Sequence, residues 1–220
     1  MFVLSLFDFS GNWPRPYADA GYDVYLVDLK HGSDVLQIDE RYLDSLVRKS
    51  GKCRAVLAAP PCTDFSGSGA QYWPAKDSCG STAKCKTMVR AALDIIVYLK
   101  PPTWALENPV GRLNTLFPIL KRFGPWYFNP CDYGGYLKPG EKSLDHPLVP
   151  ERDAYTKKTG IWGVFEKPKP KPVKPVFKIA SSGDRYSPIN MGTGGKSEKT
   201  KQIRSTTPMG FARAFFVANP

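Results

Sequence analysis

The chain has 220 residues, 42% of them hydrophobic, and its 31 Lys and Arg against 20 Asp and Glu give a net charge of +11. This length suits one domain with room for a small appended lobe, and the apolar content can fill one core. No uncharged run is long enough to cross a bilayer, and the five cysteines include no CxxC pair and stand in no histidine cluster, which argues against a membrane span, a disulfide framework and a metal site. The charge is unevenly spread: residues 1–110 hold 12 basic and 12 acidic side chains, whereas residues 111–220 hold 19 and 8. A neutral half joined to a basic half suggests a core carrying a phosphate-binding face, although a solvated basic surface has the same composition.

Met1–Phe7 is apolar, too short for a membrane span and followed by Asp8, so the pattern predicts a first strand over Phe2–Phe7 and not a signal peptide. A soluble intracellular protein is the expectation. Asp8–Asn12 reads as a turn, Tyr17–Ala20 as a short helix closed by Gly21, and Val24–Val27 as a second strand ending in Asp28. Asp39 opens a helix to Ser50 with Leu43, Leu46 and Val47 on one face. Ala55–Ala59 is a third strand, stopped by Pro60 and Pro61, which cannot donate to a ladder. Thr82–Lys100 is the clearest helix, with Met88, Ala91, Ala92, Ile95 and Leu99 on one stripe and Pro101-Pro102 behind it. Thr103–Leu106 is a further strand, ending in Glu107-Asn108-Pro109. Strand and helix in alternation predict an α/β fold: a mostly parallel sheet with helices on both faces.

The second half is less regular. Leu113–Phe123 reads as a helix, and Trp126–Phe128 and Ile161–Phe165 as strands. EKPKPKPVKPV at 166–176 favours extended polyproline geometry, as a spacer or a DNA contact, and residues 181–200 are Gly/Ser-rich and expected to be mobile. Ser205-Thr206-Thr207 can cap a last helix with Pro208 at its first position, carrying Phe211, Ala214, Phe215 and Ala218 on one side and packing back on the sheet.

Asp8, Asp28, Cys62 and Glu107 each come just after a strand, at the end where open α/β sheets bind ligands. One acid after a strand is ordinary turn chemistry; four such groups at one end of a sheet predict a crevice with convergent polar groups. The loop DFSGNWPRPYADAGY has only Gly11 and Gly21 and is not GxGxxG, so no phosphate-cradling dinucleotide site is expected. A ligand without phosphates fits better, with Asp28 placed to accept from a ribose diol. For Cys62, the residues leave open both a nucleophile and a buried structural thiol.

In this order, Phe7-Asp8-Phe9-Ser10-Gly11, Asp28, Pro60-Pro61-Cys62-Thr63-Asp64-Phe65-Ser66 and Glu107-Asn108-Pro109 resemble the motifs of DNA cytosine 5-methyltransferases. The tail Ser205–Ala212 is similar to that of small phage and prophage members of the family. The resemblance covers residues 1–112 and the last helix, and 113–200 poorly. It implies a Rossmann-like S-adenosylmethionine-dependent methyltransferase fold with a short irregular recognition region. It also implies S-adenosylmethionine as methyl donor, and double-stranded DNA whose target cytosine is flipped out. Cys62 would be the nucleophile, Glu107 the acid that holds a proton at ring N3, and Asn108 a brace for the Cys62 loop.

By the same resemblance Phe7, Asp8, Gly11, Asp28, Asp34, Val35 and Pro60 would line the cofactor, and Ser66, Lys157, Lys158 and Arg204 would meet nucleic acid. Pro109 stands where the family more often has valine. The family's paired arginines near the flipped base have Lys157-Lys158 as nearest match, and lysine lacks the bidentate fork. The expected organisation is a catalytic domain of residues 1–124 and 205–220, a reduced, basic target-recognition region at 125–204, no metal, and a monomer. An RNA (tRNA) cytosine 5-methyltransferase and a catalytically degenerate nucleic-acid-binding module are the alternatives.

Overall fold

The structure, a computed structural model, describes residues 1–190 and 198–220; most of the Gly/Ser-rich stretch after Asn190 lies outside the described residues. The chain divides into two compact units, Met1–Tyr127 with Thr159–Phe165, and Phe128–Lys158 with Glu166–Pro220.

The first unit is built on β1 (Phe2–Leu6), α1 (Arg15–Asp19), β2 (Asp23–Val27), α2 (Glu40–Ser50), β3 (Cys53–Ala58), α3 (Trp73–Ser78), α4 (Ser81–Leu99), β4 (Thr103–Pro109), α5 (Leu113–Leu116), β5 (Trp126–Phe128) and β6 (Thr159–Val164). The strands form one six-stranded sheet in the order β2-β1-β3-β4-β6-β5. β1 pairs in parallel with β2 and β3, β3 in parallel with β4, and β4 antiparallel with β6. Every residue of β1 is buried, as are all but Arg54 in β3, so both faces of the central strands are covered. That is why these strands read as continuous apolar runs and not as alternating patterns.

The flanking helices follow from local chemistry. Asp39 caps α2, its carboxylate accepting from the Tyr42 amide at 2.8 Å, and Leu43 and Leu46 are buried while Val47 is 40% exposed. The buried stripe of α4 is Cys85, Val89, Ala92, Ile95 and Ile96, rotated from the expected Met88–Leu99 stripe, whose outer members are only half-buried. Lys100 ends α4 in a left-handed conformation just before Pro101.

Two expectations change here. β4 does not stop at Leu106; Glu107, Asn108 and Pro109 pair onward with Ile161, Gly160 and Thr159 of β6. The predicted helix over Leu113–Phe123 is two pieces, α5 and a 3-10 turn at Pro118–Arg122, because Phe117, held at φ −132° and ψ 77° before a proline, leaves the helical region.

The second unit has little regular structure: a two-stranded ribbon of β7 (Lys178–Ile179) and β8 (Arg185–Tyr186), then α6 (Glu198–Ser205) and α7 (Met209–Ala218). α6 begins inside the stretch expected to be irregular. Pro208, not a Ser or Thr side chain, occupies the cap of α7. Residues 205–220, expected with the catalytic half, cluster with the second unit because Phe211 stacks on Phe128, centroids 3.9 Å apart, and meets Tyr133 edge-on. The Pro130–Tyr136 turn is thus the seat of α7. Buried Asp153 ties the same region, accepting from the Ser143 amide at 3.0 Å and the Gly210 amide at 3.4 Å.

Candidate active site

The carboxyl ends of β2, β1, β3 and β4 lie side by side, since Leu6 is level with Val27 and Ala58, and Ala58 with Leu106. Asp28, Asp8, Cys62 and Glu107 all come just beyond these rungs. From β1 the chain moves outward to β2, then crosses back past β1 to β3. The switch point therefore falls between β1 and β3, where such sheets leave a crevice beyond their strand ends. The loops that begin at Phe7 and Ala59 flank it.

The first loop is shaped by Asp8, which is 5% exposed. Its carboxylate accepts from Ser5 Oγ at 3.1 Å, Ser10 Oγ at 2.8 Å and the Gly11 amide at 2.9 Å. Phe7 and Gly11 both have positive φ, 58° and 64°. Asp8, expected along the cofactor, spends its oxygens on holding this turn. Asp28, half-buried at the end of the edge strand β2, accepts from the Lys30 amide at 2.9 Å. Asp34 makes the same kind of turn with the Leu36 amide at 2.9 Å. Val35, 2% exposed, packs into the core, so its side chain supports this turn from inside. Phe9 joins the two loops: its carbonyl meets His31 Nε2 at 3.1 Å and its ring lies 4.9 Å from Lys30 Nζ.

The cysteine loop is the most heavily braced. Pro60 is buried, Cys62 half-buried and Ser66 half-buried. The Cys62 carbonyl accepts from the amides of Phe65 at 3.0 Å and Ser66 at 2.9 Å, which coils the loop into a tight turn. From β4, Asn108 donates through Nδ2 to the Pro60 carbonyl at 3.1 Å and is fully buried. Glu107 beside it is half-buried. Ser66 forms an isolated bridge with Gly111, and the amides of Gly67 and Arg112 donate to Val110 and Phe65 carbonyls at 2.8 and 2.9 Å. Glycine is required at 111, since a Cβ there would stand 1.8 Å from the Phe65 carbonyl oxygen.

A polar network that sequence inspection misses anchors the same loop. Asp64, 2% exposed, pairs with Lys76 at 2.9 Å and accepts from Ser81 Oγ at 2.5 Å and Cys85 Sγ at 3.3 Å. Burial works against its charge, but the bonds from Ser81, Lys76 and Cys85 and the Lys76 ammonium outweigh it and hold the carboxyl below its ordinary range. Burial, then the bond to Asp64, pushes the Cys85 thiol up to about 12, so Cys85 remains protonated. Lys76 also donates to the Thr63 carbonyl. Arg112 donates Nε to the Asp64 carbonyl at 3.0 Å, forks onto Asp77 with two bonds of 2.8 Å, reaches Thr82 at 2.9 Å and lies 4.7 Å over the Trp73 ring. The fork holds the Asp77 carboxyl down at about 2. The only signal in the sequence was the position of Asp64 inside PPCTDFS.

Lys157, Lys158 and Arg204 belong to the second unit, where Lys157 Nζ donates to the Arg204 carbonyl at 2.6 Å. Ser66 belongs to the first. Among the described residues no group of His, Cys, Asp and Glu could hold a metal ion, and no helix is long and apolar enough to cross a membrane.

No family model matches the chain, and no curated protein matches it. Among solved structures it is similar to a prophage-encoded DNA modification methyltransferase of E. coli, with a TM-score of 0.49 and 17% identity over 80% of this chain. The match covers 52% of that chain, so the protein spans about half its length.

Proposed function

We propose that the protein transfers a methyl group from S-adenosylmethionine to carbon 5 of cytosine in DNA, with Cys62 as covalent nucleophile and Glu107 as the acid at ring N3. What carries this reading is the tie between the two motifs: Asn108, the neighbour of Glu107, donates to the Pro60 carbonyl at 3.1 Å across adjacent parallel strands.

The donor set at the ends of β1 and β2 suits this cofactor. One Asp28 oxygen is used by the Lys30 amide, and no described residue donates to the other, which leaves an acceptor for a ribose diol. The Phe7–Asn12 turn lacks the glycines of a phosphate cradle, as a nucleoside ligand without phosphates allows. When bound, S-adenosylmethionine supplies an electrophilic methyl group on a sulfonium.

The remaining work falls to the protein. Cys62, as thiolate, adds to carbon 6 of the ring, forming a carbon–sulfur bond and pushing an electron pair toward N3. Glu107 supplies and holds the proton there, which makes carbon 5 nucleophilic. After the methyl is on carbon 5, the proton at that carbon passes to water, its electron pair re-forms the ring double bond, the carbon–sulfur bond breaks to return the thiolate, and N3 gives its proton back to Glu107. A free thiol has a pKa of about 8.5, so positive charge must favour the anion. Lys76 and Arg112, both bonded to the cysteine loop, bring two cations, but Asp64 and Asp77 offset them, so the sulfonium of the bound methyl donor would supply the net positive charge. A stacked base is out of reach of such a loop, so the cytosine must leave the duplex.

The test is covalent capture. Duplex DNA containing 5-fluorocytosine, with S-adenosylmethionine, should give a denaturation-resistant adduct, because fluorine cannot leave as the proton does. The Cys62→Ala protein should give none. An adduct on tRNA alone would move the substrate to RNA, and DNA retention with no adduct on either would leave a binding module.

A further inference from the structure

The proline-lysine segment 166–176 is not a loose spacer. Its backbone is fixed along the second unit at both ends and through the middle. Asn219 brackets Glu166, accepting from its amide at 2.7 Å and donating to its carbonyl at 2.9 Å. Tyr133 and Tyr136 hydroxyls donate to the Pro168 and Lys169 carbonyls at 3.2 and 2.9 Å. The amides of Lys171, Val173 and Val176 donate to the Asp132, Cys131 and Ala154 carbonyls at 3.0, 2.9 and 2.7 Å, and Gly135 returns a bond to the Lys171 carbonyl at 2.7 Å. The seat is cut to fit: a Cβ at Gly135 would stand 2.6 Å from both Cβ and the carbonyl oxygen of Lys171.

With the backbone turned inward, the lysines are left outward. Lys167, Lys169, Lys171 and Lys174 are all exposed, and none meets a carboxylate at ion-pair distance among the described residues. Lys171 lies 4.4 Å over the Tyr136 ring, which steadies its stem. The alternating prolines lock φ, so the first three ammonium groups spring from every second residue, about 6 Å apart along extended chain at about 3.1 Å per residue. The row continues into Lys178 and Arg185 of the β7–β8 ribbon, both exposed.

We propose that this strap is a contact surface for the phosphate backbone of duplex DNA, one that adds affinity and carries no sequence information. A fixed row of four cations over about 20 Å can meet about every second phosphate of a strand that presents one per about 3.4 Å. Lysines are point charges without the fork that reads a guanine edge, and the strap holds no Asn, Gln or Arg to read bases. It also lacks the broad apolar face with which a basic segment enters a lipid surface. The proposal rests on the reading of DNA as substrate, but not on Cys62 chemistry.

The experiment is a salt titration of binding to a fluorescent duplex of random sequence, with the protein and its K167Q/K169Q/K171Q/K174Q variant. The slope of log affinity against log salt should become shallower by about 3 to 4, and affinity at about 50 mM salt should fall at least about tenfold. The matching four-arginine variant should keep the wild-type slope, and Cys62→Ala should too, which separates this surface from the catalytic reading. Should the glutamine variant fail to fold, K167Q and K174Q alone should each lower the slope by about 0.9. An unchanged slope in a folded variant overturns the proposal. So does a loss seen with anionic lipid vesicles and not with DNA.

Discussion

Glu107 and Asn108 are neighbours on one strand, so their side chains leave opposite faces of the sheet, one half-buried and one fully buried. Different substitutions should therefore report different functions. On the proposed mechanism Glu107→Gln keeps shape and removes the acid, so the methylation rate should fall about 10²- to 10⁴-fold in single-turnover assays while duplex affinity stays the same. Asn108→Ala removes the donor to the buried Pro60 carbonyl, and denaturant unfolding should show a loss of about 1–3 kcal/mol, with the rate reduced through misplacement of Cys62. Cys62, Glu107 and Asn108 could be singled out as candidates from sequence because each lies in a short contiguous motif. Arg112, Asp64 and Asp77 could not. Arg112 meets them across 35 and 48 residues of chain, and nothing local to an arginine reveals which carbonyl and which carboxylate its fork will bridge.

At the scale of elements, the cysteine loop is a turn held by β4, by α3 through Lys76 and Asp77, and by α4 through Ser81, Thr82 and Cys85. Its stability should depend on pH through Asp64. A carboxyl lowered in the folded state contributes stability that is complete above its unfolded value, near 3.9, and is lost as pH falls through the folded value. Thermal melts from about pH 6 down to about pH 2 should thus fall steeply for the protein and less steeply for Asp64→Asn, which starts lower at neutral pH. An equal slope for both would remove Asp64 from the account. The elements themselves were legible where burial is two-sided, as in β1 and β3, since a fully apolar run admits few alternatives. They were less legible where tertiary pairing decides: β4 runs on through Pro109 only because β6 supplies an antiparallel partner there, and β6 lies 50 residues on.

For the whole molecule, charge asymmetry pointed to two regions, and the structure divides into two units after Tyr127 and not at the middle of the chain. The aromatic residues of α7 suggested packing on the sheet; Phe211 does stack on Phe128, the last residue of β5, and with Tyr133 and Phe215 it builds an aromatic cluster in the second unit. Apolarity alone names no partner, and in a chain with 13% aromatic residues several surfaces compete for one helix. The chain leaves the first unit after Tyr127, re-enters at Thr159 and leaves again after Phe165. Since β5 and β6 are sheet neighbours, departure and return occur at adjoining strands of one sheet. An engineered polypeptide joining Tyr127 to Thr159 through a flexible linker and ending near Phe165 should then retain the sheet's far-ultraviolet dichroism. Modularity of this kind makes the excursion between those strands a cassette: it can be lengthened, shortened or traded without re-threading the strands that carry Cys62 and Glu107.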